Sequence, residues 1–186
     1  MNETHPFQFK LHQFESPLGI MAAAENEMGI THLGFGTAIE LANKLENQFR
    51  KKPHTLVYKT SSIIDSLVSQ IDEFFNGTRN EFQLLLNPMG TMFQQKVWND
   101  LQKIPFGQTQ TYLQQAKNTG NAKTIRASAS ANGQNPIAII IPCHRIIGSD
   151  GSLTGYAGGL WRKKWLLEHE AKYSGKSFQT HLNLSF

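Results

Sequence analysis

The chain contains very little cysteine, because Cys143 is the only thiol among its 186 residues. A single cysteine excludes an internal disulfide and a zinc site built from several thiolates, and it fits a reducing compartment. The seven histidines form no HExxH pair. No apolar run has the length needed to cross a bilayer, and residues 1–10 lack the apolar core of a secretory signal. We therefore expect a cytoplasmic globular protein that binds neither a metal nor a membrane.

Acidic and basic residues are unevenly distributed along the chain. Residues 1–90 have a net charge of −3, whereas residues 91–172 have a net charge of +6. A basic half indicates a surface that faces a polyanion, although a solvated surface with a chance imbalance has the same pattern. The segment Asn-Pro-Met-Gly at residues 87–90 is a break in composition typical of a linker. We predict one domain over residues 1–87, a second over residues 91–172, and a polar tail over residues 173–186.

The first domain has the patterning of a small α+β fold. A capping box that begins at Thr37 predicts a helix with Ile39 on its buried side, and helical spacing of apolar residues predicts a second helix over residues 63–75. Alternating or continuous apolar residues predict strands at residues 7–11, 18–24, 29–35, 56–58 and 81–86. We find no catalytic constellation in this half of the chain.

The sequence of the second domain predicts a mainly helical fold. A capping box at Thr91 starts one helix, Thr111 starts a short one, and residues 122–132 form the next. Two short helices joined by a glycine-containing turn, with the cationic Arg126 near the start of the second, are the helix-turn-helix pattern. A last amphipathic helix is predicted over residues 160–172, with Arg162, Lys163 and Lys164 directed outward.

The lone cysteine lies in the most distinctive stretch of the sequence. Asn135 and Pro136 form a turn, and the four apolar residues 138–141 predict a fully buried strand that ends at Pro142. Cys143 and His144 follow at once. A thiol beside an imidazole is the usual basis of a thiolate nucleophile, although a buried, inert cysteine with a chance neighbour has the same sequence.

This stretch resembles the active-site motif of the O6-alkylguanine-DNA alkyltransferases, also called methylated-DNA–protein-cysteine methyltransferases. The similarity is close over residues 91–170 and loose over residues 1–90. The motifs that carry it are Ile104-Pro105-Phe106-Gly107, Thr111-Tyr112, Asn135-Pro136, Pro142-Cys143-His144-Arg145, Gly155-Tyr156-Ala157-Gly158-Gly159 and Trp165-Leu166-Leu167-Glu168-His169-Glu170.

The resemblance implies an α+β fold in which a small ribonuclease H-like α/β domain precedes a winged helix-turn-helix-like DNA-binding domain that carries the active site. It implies repair of DNA by direct reversal: an alkyl group passes from O6-alkylguanine, and also from O4-alkylthymine, to Cys143 in a single turnover without a cofactor. The expected partner is double-stranded DNA, bound by a monomer through the minor groove and largely independent of sequence, with nucleoid association if the source is bacterial.

The family pattern also implies a role for individual residues. Cys143 would be the nucleophile, His144 its base and Glu170 the carboxylate that orients the base. Tyr112 would donate a hydrogen bond toward guanine N3, and Asn135 would tie the recognition helix to the cysteine turn. The residues expected to contact DNA or the flipped base are Arg126, which would enter the base stack, and Thr111, Ala127, Ser128, Ile146, Tyr156 and Ala157.

Two other hypotheses stay open at this point. The chain could be a helix-turn-helix module that binds alkylated bases without repairing them, although such proteins lack the acceptor cysteine. It could also be a thiol hydrolase that uses Cys143, His144 and Glu170, which leaves Arg126 and the basic half unexplained. At single positions, Glu170 could be a surface helix residue, and Arg145 could be a structural ion-pair partner.

Overall fold

The computed structural model describes residues 7–175, and the chain divides into two compact units, Met1–Met89 and Gly90–Phe186. The first unit combines a sheet with two helices, and the second is mainly helical, which confirms the predicted α+β class. Among the helices within residues 7–175, none has the length and apolar character required to traverse a bilayer.

A four-stranded sheet forms the centre of the first unit. Its strands are β1 (Phe7–Phe14), β2 (Met21–Asn26), β3 (Gly29–Phe35) and β4 (His54–Tyr58), in the spatial order β3-β2-β1-β4. The β2–β3 hairpin and the β1–β2 pair are antiparallel, whereas β1 and β4 are parallel. The predicted strand at residues 81–86 is wrong apart from one bridge between Leu86 and Ile30. An alternating apolar pattern does not distinguish a strand from an extended segment of this kind.

Two helices complete this unit, α1 (Ala38–Phe49) and α2 (Ser62–Phe75). The predicted capping box of α1 is present, since Thr37 accepts from the Glu40 amide while the Glu40 carboxylate accepts from the Thr37 amide. The buried side of α1 contains Leu45 and Phe49, as predicted, but Ala38 and Ala42 take the place predicted for Ile39, which is 66% exposed. Ala22, Ala23 and Ala24 on β2 are all buried.

The second unit is built from four helices and a two-stranded parallel sheet. The helices are α3 (Met92–Leu101), α4 (Tyr112–Asn118), α5 (Ile125–Gly133) and α6 (Leu160–Ser174), and the strands are β5 (Gln110–Thr111) and β6 (Ile146–Ile147). The predicted capping box at Thr91 starts α3. A short 3-10 turn, Ala122–Thr124, precedes α5. Helix α6 extends through Ser174, into the predicted tail, while the rest of that tail, residues 176–186, lies outside the described residues.

Buried polar contacts fix the helix-turn-helix formed by α4 and α5. Gln115 of α4 and Asn132 of α5 exchange two hydrogen bonds, of 3.1 and 2.7 Å, and both side chains are buried. The indole of Trp98 on α3 donates to the Ala131 carbonyl at 2.8 Å. These paired groups hold the three helices in register, because an unpaired polar group at these depths would be costly.

The predicted strand at residues 138–141 is wrong, because this segment is a compact buried turn. The Ile140 amide donates to the Ala138 carbonyl at 2.8 Å, and the Ile141 amide donates to the Ile137 carbonyl at 3.1 Å. Ile139 has φ of 70°, a left-handed conformation that a β-branched residue rarely adopts. Its side chain is 1% exposed, so burial of the apolar side chains is obtained without extended backbone.

Candidate active site

The turn that follows Pro142 presents the sulfur of Cys143. Cys143–Arg145 form a single 3-10 turn, and Cys143 is 8% exposed. The amide of Asn135 donates to the sulfur at 3.2 Å and to the Ile141 carbonyl at 2.7 Å. The same side chain accepts from the Ile137 amide at 3.0 Å. Asn135 therefore joins the segment that follows α5 to the cysteine turn.

Burial is the main influence on the ionisation of Cys143. It raises the pKa of the thiol above the ordinary value, while the hydrogen bond from Asn135 and the positive charge of Lys163 oppose that rise. The balance is a raised pKa, so the resting side chain at neutral pH is the protonated thiol. A thiol in this state needs a base before it can act as a nucleophile.

His144 supplies a neutral imidazole next to the thiol in the sequence. Its Nε2 lies 2.7 Å from Oε1 of Glu170, and both side chains are fully buried. Burial lowers the pKa of His144 and outweighs the opposing effect of Glu170. Because an ionised carboxylate only accepts hydrogen bonds, the Nε2 atom carries the ring proton. The Nδ1 atom is then the basic nitrogen, and it is buried without a hydrogen-bond partner among the described residues.

Glu170 holds this imidazole and is itself held by two other residues. Arg145 donates to both carboxylate oxygens from Nε and to one from Nη2, at 2.9 to 3.1 Å. The Gly107 amide adds a hydrogen bond of 3.0 Å. Burial would raise the pKa of Glu170, but His144 and Arg145 outweigh it and lower the pKa to about 2. The structure therefore excludes the alternative that Glu170 is a surface residue, and Arg145 is its ion-pair partner.

Lys163 also belongs to this site, and the prediction that its side chain lies on the outer face of the last helix is wrong. It was expected to point outward, but it is 0% exposed and its ammonium donates to the carbonyls of Thr154, at 2.7 Å, and Ile146. Burial lowers its pKa to about 8, against the opposing effect of Cys143. The spacing could have indicated that Lys163 is buried, because Lys163 and Glu170 are seven residues apart on α6 and therefore share one helix face.

The glycine-rich segment before α6, residues 154–159, forms a loop beside the site, which we call the active-site loop. The Tyr112 hydroxyl lies 3.1 Å from the Thr154 carbonyl and 3.3 Å from the Gly155 carbonyl. The Tyr156 hydroxyl is buried and has no partner among the described residues, while Ala157 is exposed. Both tyrosines are close enough to Cys143 for the sulfur to raise their pKa values, although burial is the larger cause.

The residues predicted to contact DNA differ in their exposure. Arg126 and Ala127 are exposed at the start of α5, and Thr111 caps α4 by accepting from the Gln114 amide at 3.2 Å. Ser128 is 0% exposed and its hydroxyl is buried without a partner among the described residues, so it does not share the exposed surface of Arg126 and Ala127, and its contact with DNA stays a prediction. Successive residues of a helix point in directions about 100° apart, which turns Ser128 inward. The Ile146 side chain is also buried, and its carbonyl is occupied by Lys163.

The structure places Asn135 3.2 Å from the sulfur of Cys143 and Glu170 2.7 Å from the imidazole of His144, the next residue in the chain, with Tyr112 and Tyr156 within electrostatic range of the sulfur. Arg126 stands apart from this group on the helix-turn-helix surface. Between residues 7 and 175, no group of three or more His, Cys, Asp or Glu side chains is arranged to hold a metal ion.

Two family models match the chain. One, described as the DNA-binding domain of 6-O-methylguanine DNA methyltransferase, matches residues 92–172. The other, described as the ribonuclease-like domain of the same protein, matches residues 10–88.

Curated proteins and solved structures resemble the chain over most of its length. A protein of Methanosarcina acetivorans named methylated-DNA–protein-cysteine methyltransferase is 43% identical over 157 residues, covering 84% of this chain and 95% of that protein. A protein of the same name from Mycolicibacterium paratuberculosis is 37% identical over 163 residues, covering 88% of this chain and 93% of that protein. The crystal structure of Mycobacterium tuberculosis OGT in complex with DNA has a TM-score of 0.74 at 37% identity, covering 89% of this chain and 94% of that one.

Proposed function

The chain belongs to the 6-O-methylguanine DNA methyltransferase family, and from this premise we propose that it transfers alkyl groups from the O6 atom of guanine in DNA to Cys143. Its activity is that of a methylated-DNA–protein-cysteine methyltransferase, and it binds DNA. One observation carries the assignment of the chemistry to this site. His144 is neutral, is held through Nε2 by Glu170, and has a buried Nδ1 without a partner among the described residues, in the residue that directly follows Cys143 in the chain.

The first step we propose is removal of the thiol proton. The proton leaves the sulfur of Cys143 and reaches Nδ1 of His144, directly or through one water molecule. The resulting imidazolium lies 2.7 Å from the carboxylate of Glu170. That carboxylate is ionised at neutral pH because its pKa is about 2. The negative charge stabilises the imidazolium as it forms, in the manner of a nucleophile–base–carboxylate triad.

The second step is displacement at the alkyl carbon. The thiolate forms a bond to that carbon, the carbon–O6 bond breaks, and its electron pair stays on the guanine. The proton that Cys143 gave to His144 passes on to the departing base, which leaves as neutral guanine, and His144 is neutral again. A thioether has no easy hydrolytic exit, so we propose that each protein molecule acts once. The sulfur supplies the electron pair of the new bond, and the guanine keeps the pair of the broken bond. No oxidant or reductant is needed, and we propose no cofactor.

Tyr112 can assist the leaving base only after its hydroxyl changes partner. The hydroxyl now donates into the carbonyls of Thr154 and Gly155, so a hydrogen bond to guanine N3 requires release of these carbonyls. Entry of the base and movement of the active-site loop would then be coupled. Tyr156, whose buried hydroxyl has no partner in the described part of the chain, is proposed to line the same base pocket with the backbone of Ala157.

We propose that the helix-turn-helix binds double-stranded DNA through the minor groove, with little dependence on sequence. Exposed Arg126 would occupy the position in the stack that the flipped nucleotide vacates, because a buried O6 atom cannot reach Cys143 otherwise. Ala127 next to it is small enough for close approach of the backbone to phosphates. We further propose that the protein acts as a monomer and accepts O4-alkylthymine, since the displacement needs only an alkylated oxygen on an extruded base.

The direct test is the intact mass of the protein after incubation with duplex DNA that contains O6-methylguanine. We expect one added methyl group, located on the Cys143 peptide, and no gain with an unmodified duplex or with Cys143→Ser. Binding without a mass change would favour the lesion-binding module, and repeated turnover on an ester without a mass change would favour the thiol hydrolase.

A second test addresses base extrusion. Arg126→Ala should slow repair of the duplex at saturating DNA about 100-fold more than reaction with the free O6-alkylguanine base, because the unstacking cost of a few kcal/mol is then uncompensated. Lys123→Ala removes a neighbouring exposed charge and should weaken only DNA binding, so that saturating DNA restores its rate. Equal slowing of duplex and free base by Arg126→Ala would refute the role in extrusion.

A further inference from the structure

We propose that Trp161 and Arg162 latch the active-site loop over Cys143 and thereby limit the size of the alkyl group that the site accepts. This inference rests on the proposed alkyl transfer and extends it to substrate range. We call these two residues the loop latch. They are the second and third residues of α6, which starts at Leu160 directly after the loop.

The latch contacts the end of the loop that precedes α6. The guanidinium of Arg162 donates to the Gly158 carbonyl at 2.8 Å and lies 4.4 Å from the centre of the Trp161 ring. The same indole lies against Gly159, since a Cβ at that glycine would stand 3.5 Å from the ring. The indole thus supports both the guanidinium and the backbone that it holds, and a guanidinium stacked on an aromatic face is a favourable arrangement.

The loop needs such support because of its composition. Gly155 and Gly159 have φ values of 55° and 90°, which favour glycine, and glycine has the largest conformational freedom to lose on ordering. The other end of the loop is held separately, because Lys163 and Tyr112 both donate to the Thr154 carbonyl. The loop is therefore fixed at both ends. Its first residue lies near the cysteine turn, because the Lys163 ammonium that donates to Thr154 also donates to the carbonyl of Ile146, three residues after Cys143.

Tyr156 connects the latch to the chemistry. Burial raises its pKa well above the ordinary value, Cys143 adds to that rise, and the cation of Arg162 opposes it. Tyr156 thus lies within electrostatic range of both the latch and the sulfur. Cys143 is 8% exposed, and a loop held beside the cysteine turn leaves little room there for an alkyl group larger than methyl unless the loop moves. The latch opposes that displacement, and so it discriminates by size.

The test compares the rate constants for O6-benzylguanine and O6-methylguanine in the same duplex. Arg162→Ala should raise the benzyl-to-methyl ratio about tenfold, the effect expected for loss of one hydrogen bond from a charged donor. Trp161→Ala should raise it in the same direction, whereas Arg162→Lys, which keeps a donor, and Trp161→Phe, which keeps a ring, should fall between Arg162→Ala and the wild type. Lys164→Ala is the matched control, because Lys164 is a cation of the same helix that pairs with Glu168 at 3.8 Å.

Hydrogen exchange gives a readout that does not depend on activity. The Gly159 amide donates to the Tyr156 carbonyl at 3.0 Å, and we expect it to exchange about tenfold faster in Arg162→Ala. An unchanged ratio and unchanged exchange would overturn the latch, provided that the wild type transfers alkyl groups. Absence of transfer in the wild type would instead overturn the proposed function. If Arg162→Ala does not fold, Arg162→Lys and Trp161→Ala carry the same comparison.

Discussion

Replacing Glu170 by glutamine removes one negative charge from a fully buried position while keeping the shape of the side chain. The carboxylate accepts hydrogen bonds from His144, Arg145 and Gly107. Glutamine offers one accepting oxygen and a donor group in place of the second, so at least one buried donor loses its partner. Arg145 is 6% exposed and would remain charged without its counter-ion.

The magnitude follows from the ionisation of Glu170. Its pKa falls from 4.5 to about 2 on folding, which corresponds to about 3 kcal/mol of stability at about 1.4 kcal/mol per pKa unit. Because the folded-state pKa is lowered, this stability is present above pH 4.5 and is lost as the pH falls toward 2. His144 contributes its charge to this shift only when it is protonated, but Glu170→Gln also leaves the buried Arg145 charged without its counter-ion, so the variant should still cost about 3 kcal/mol at pH 7. Its difference from the wild type should shrink between pH 4.5 and 2.

Urea unfolding followed by tryptophan fluorescence measures this cost. The three tryptophans, Trp98, Trp161 and Trp165, all lie in the second unit, so the signal reports the unit that contains Glu170. At a slope of about 1.5 kcal/mol per M, the midpoint should fall by about 2 M urea at pH 7. Glu168→Gln is the control, because Glu168 is exposed and its 3.8 Å pair with Lys164 contributes little. A Glu170→Gln midpoint equal to that of Glu168→Gln would refute the reasoning.

Three further predictions concern the thiol, its base and the helix-turn-helix. Lys163→Met removes a cation that lowers the pKa of Cys143, so the pH–rate curve for iodoacetamide should move to higher pH, with a rate at pH 7 about tenfold lower. Because burial lowers the pKa of His144, alkyl transfer should stay nearly constant from pH 7.5 to 6.5 and fall only at lower pH, as the imidazole becomes protonated. Asn132→Ala leaves the buried amide of Gln115 without its partner, and it should cost about 1–3 kcal/mol in urea unfolding.

Matched control variants separate these effects from a nonspecific loss of structure or stability. Lys164→Met removes a cation from the same helix and should leave the iodoacetamide curve of Cys143 in place. An acid limb of alkyl transfer centred at or above pH 6.5 would contradict the assignment of His144 as the base. Gln114→Ala changes an exposed amide on α4 and should cost less than about 0.5 kcal/mol. If Asn132→Ala costs no more than Gln114→Ala, the buried pair does not stabilise the helix-turn-helix.

Spacing and capping in the sequence predicted the features that depend on neighbouring residues. The capping boxes at Thr37 and Thr91 begin α1 and α3 as expected, and the β2–β3 hairpin lies where its apolar pattern placed it. These signals are local, because a side chain three residues away satisfies the helix end.

The wrong predictions share a physical cause. An apolar run predicts burial but not the backbone conformation, and a charge does not specify the direction in which a side chain points. Residues 138–141 form a turn stabilised by Asn135, in which Ile139 and Ile141 are buried while Ala138 and Ile140 are half-buried, and an apolar run does not reveal such a turn. Lys163 was assigned to the surface because of its charge. Its ammonium instead donates hydrogen bonds to the backbone carbonyls of Ile146 and Thr154. Predicting such a residue from sequence requires weighing its position on the helix face above its polarity.

The depth at which the sulfur lies has a consequence for how long the protein stays usable. Under the proposed single-turnover transfer, a cysteine that reacts with any other electrophile is lost for repair. Peroxides and small diffusing electrophiles attack the anionic form of an accessible cysteine, and Cys143 is 8% exposed and protonated at rest. The shielding that makes a base necessary for the reaction thus preserves the unspent molecules until a damaged base arrives.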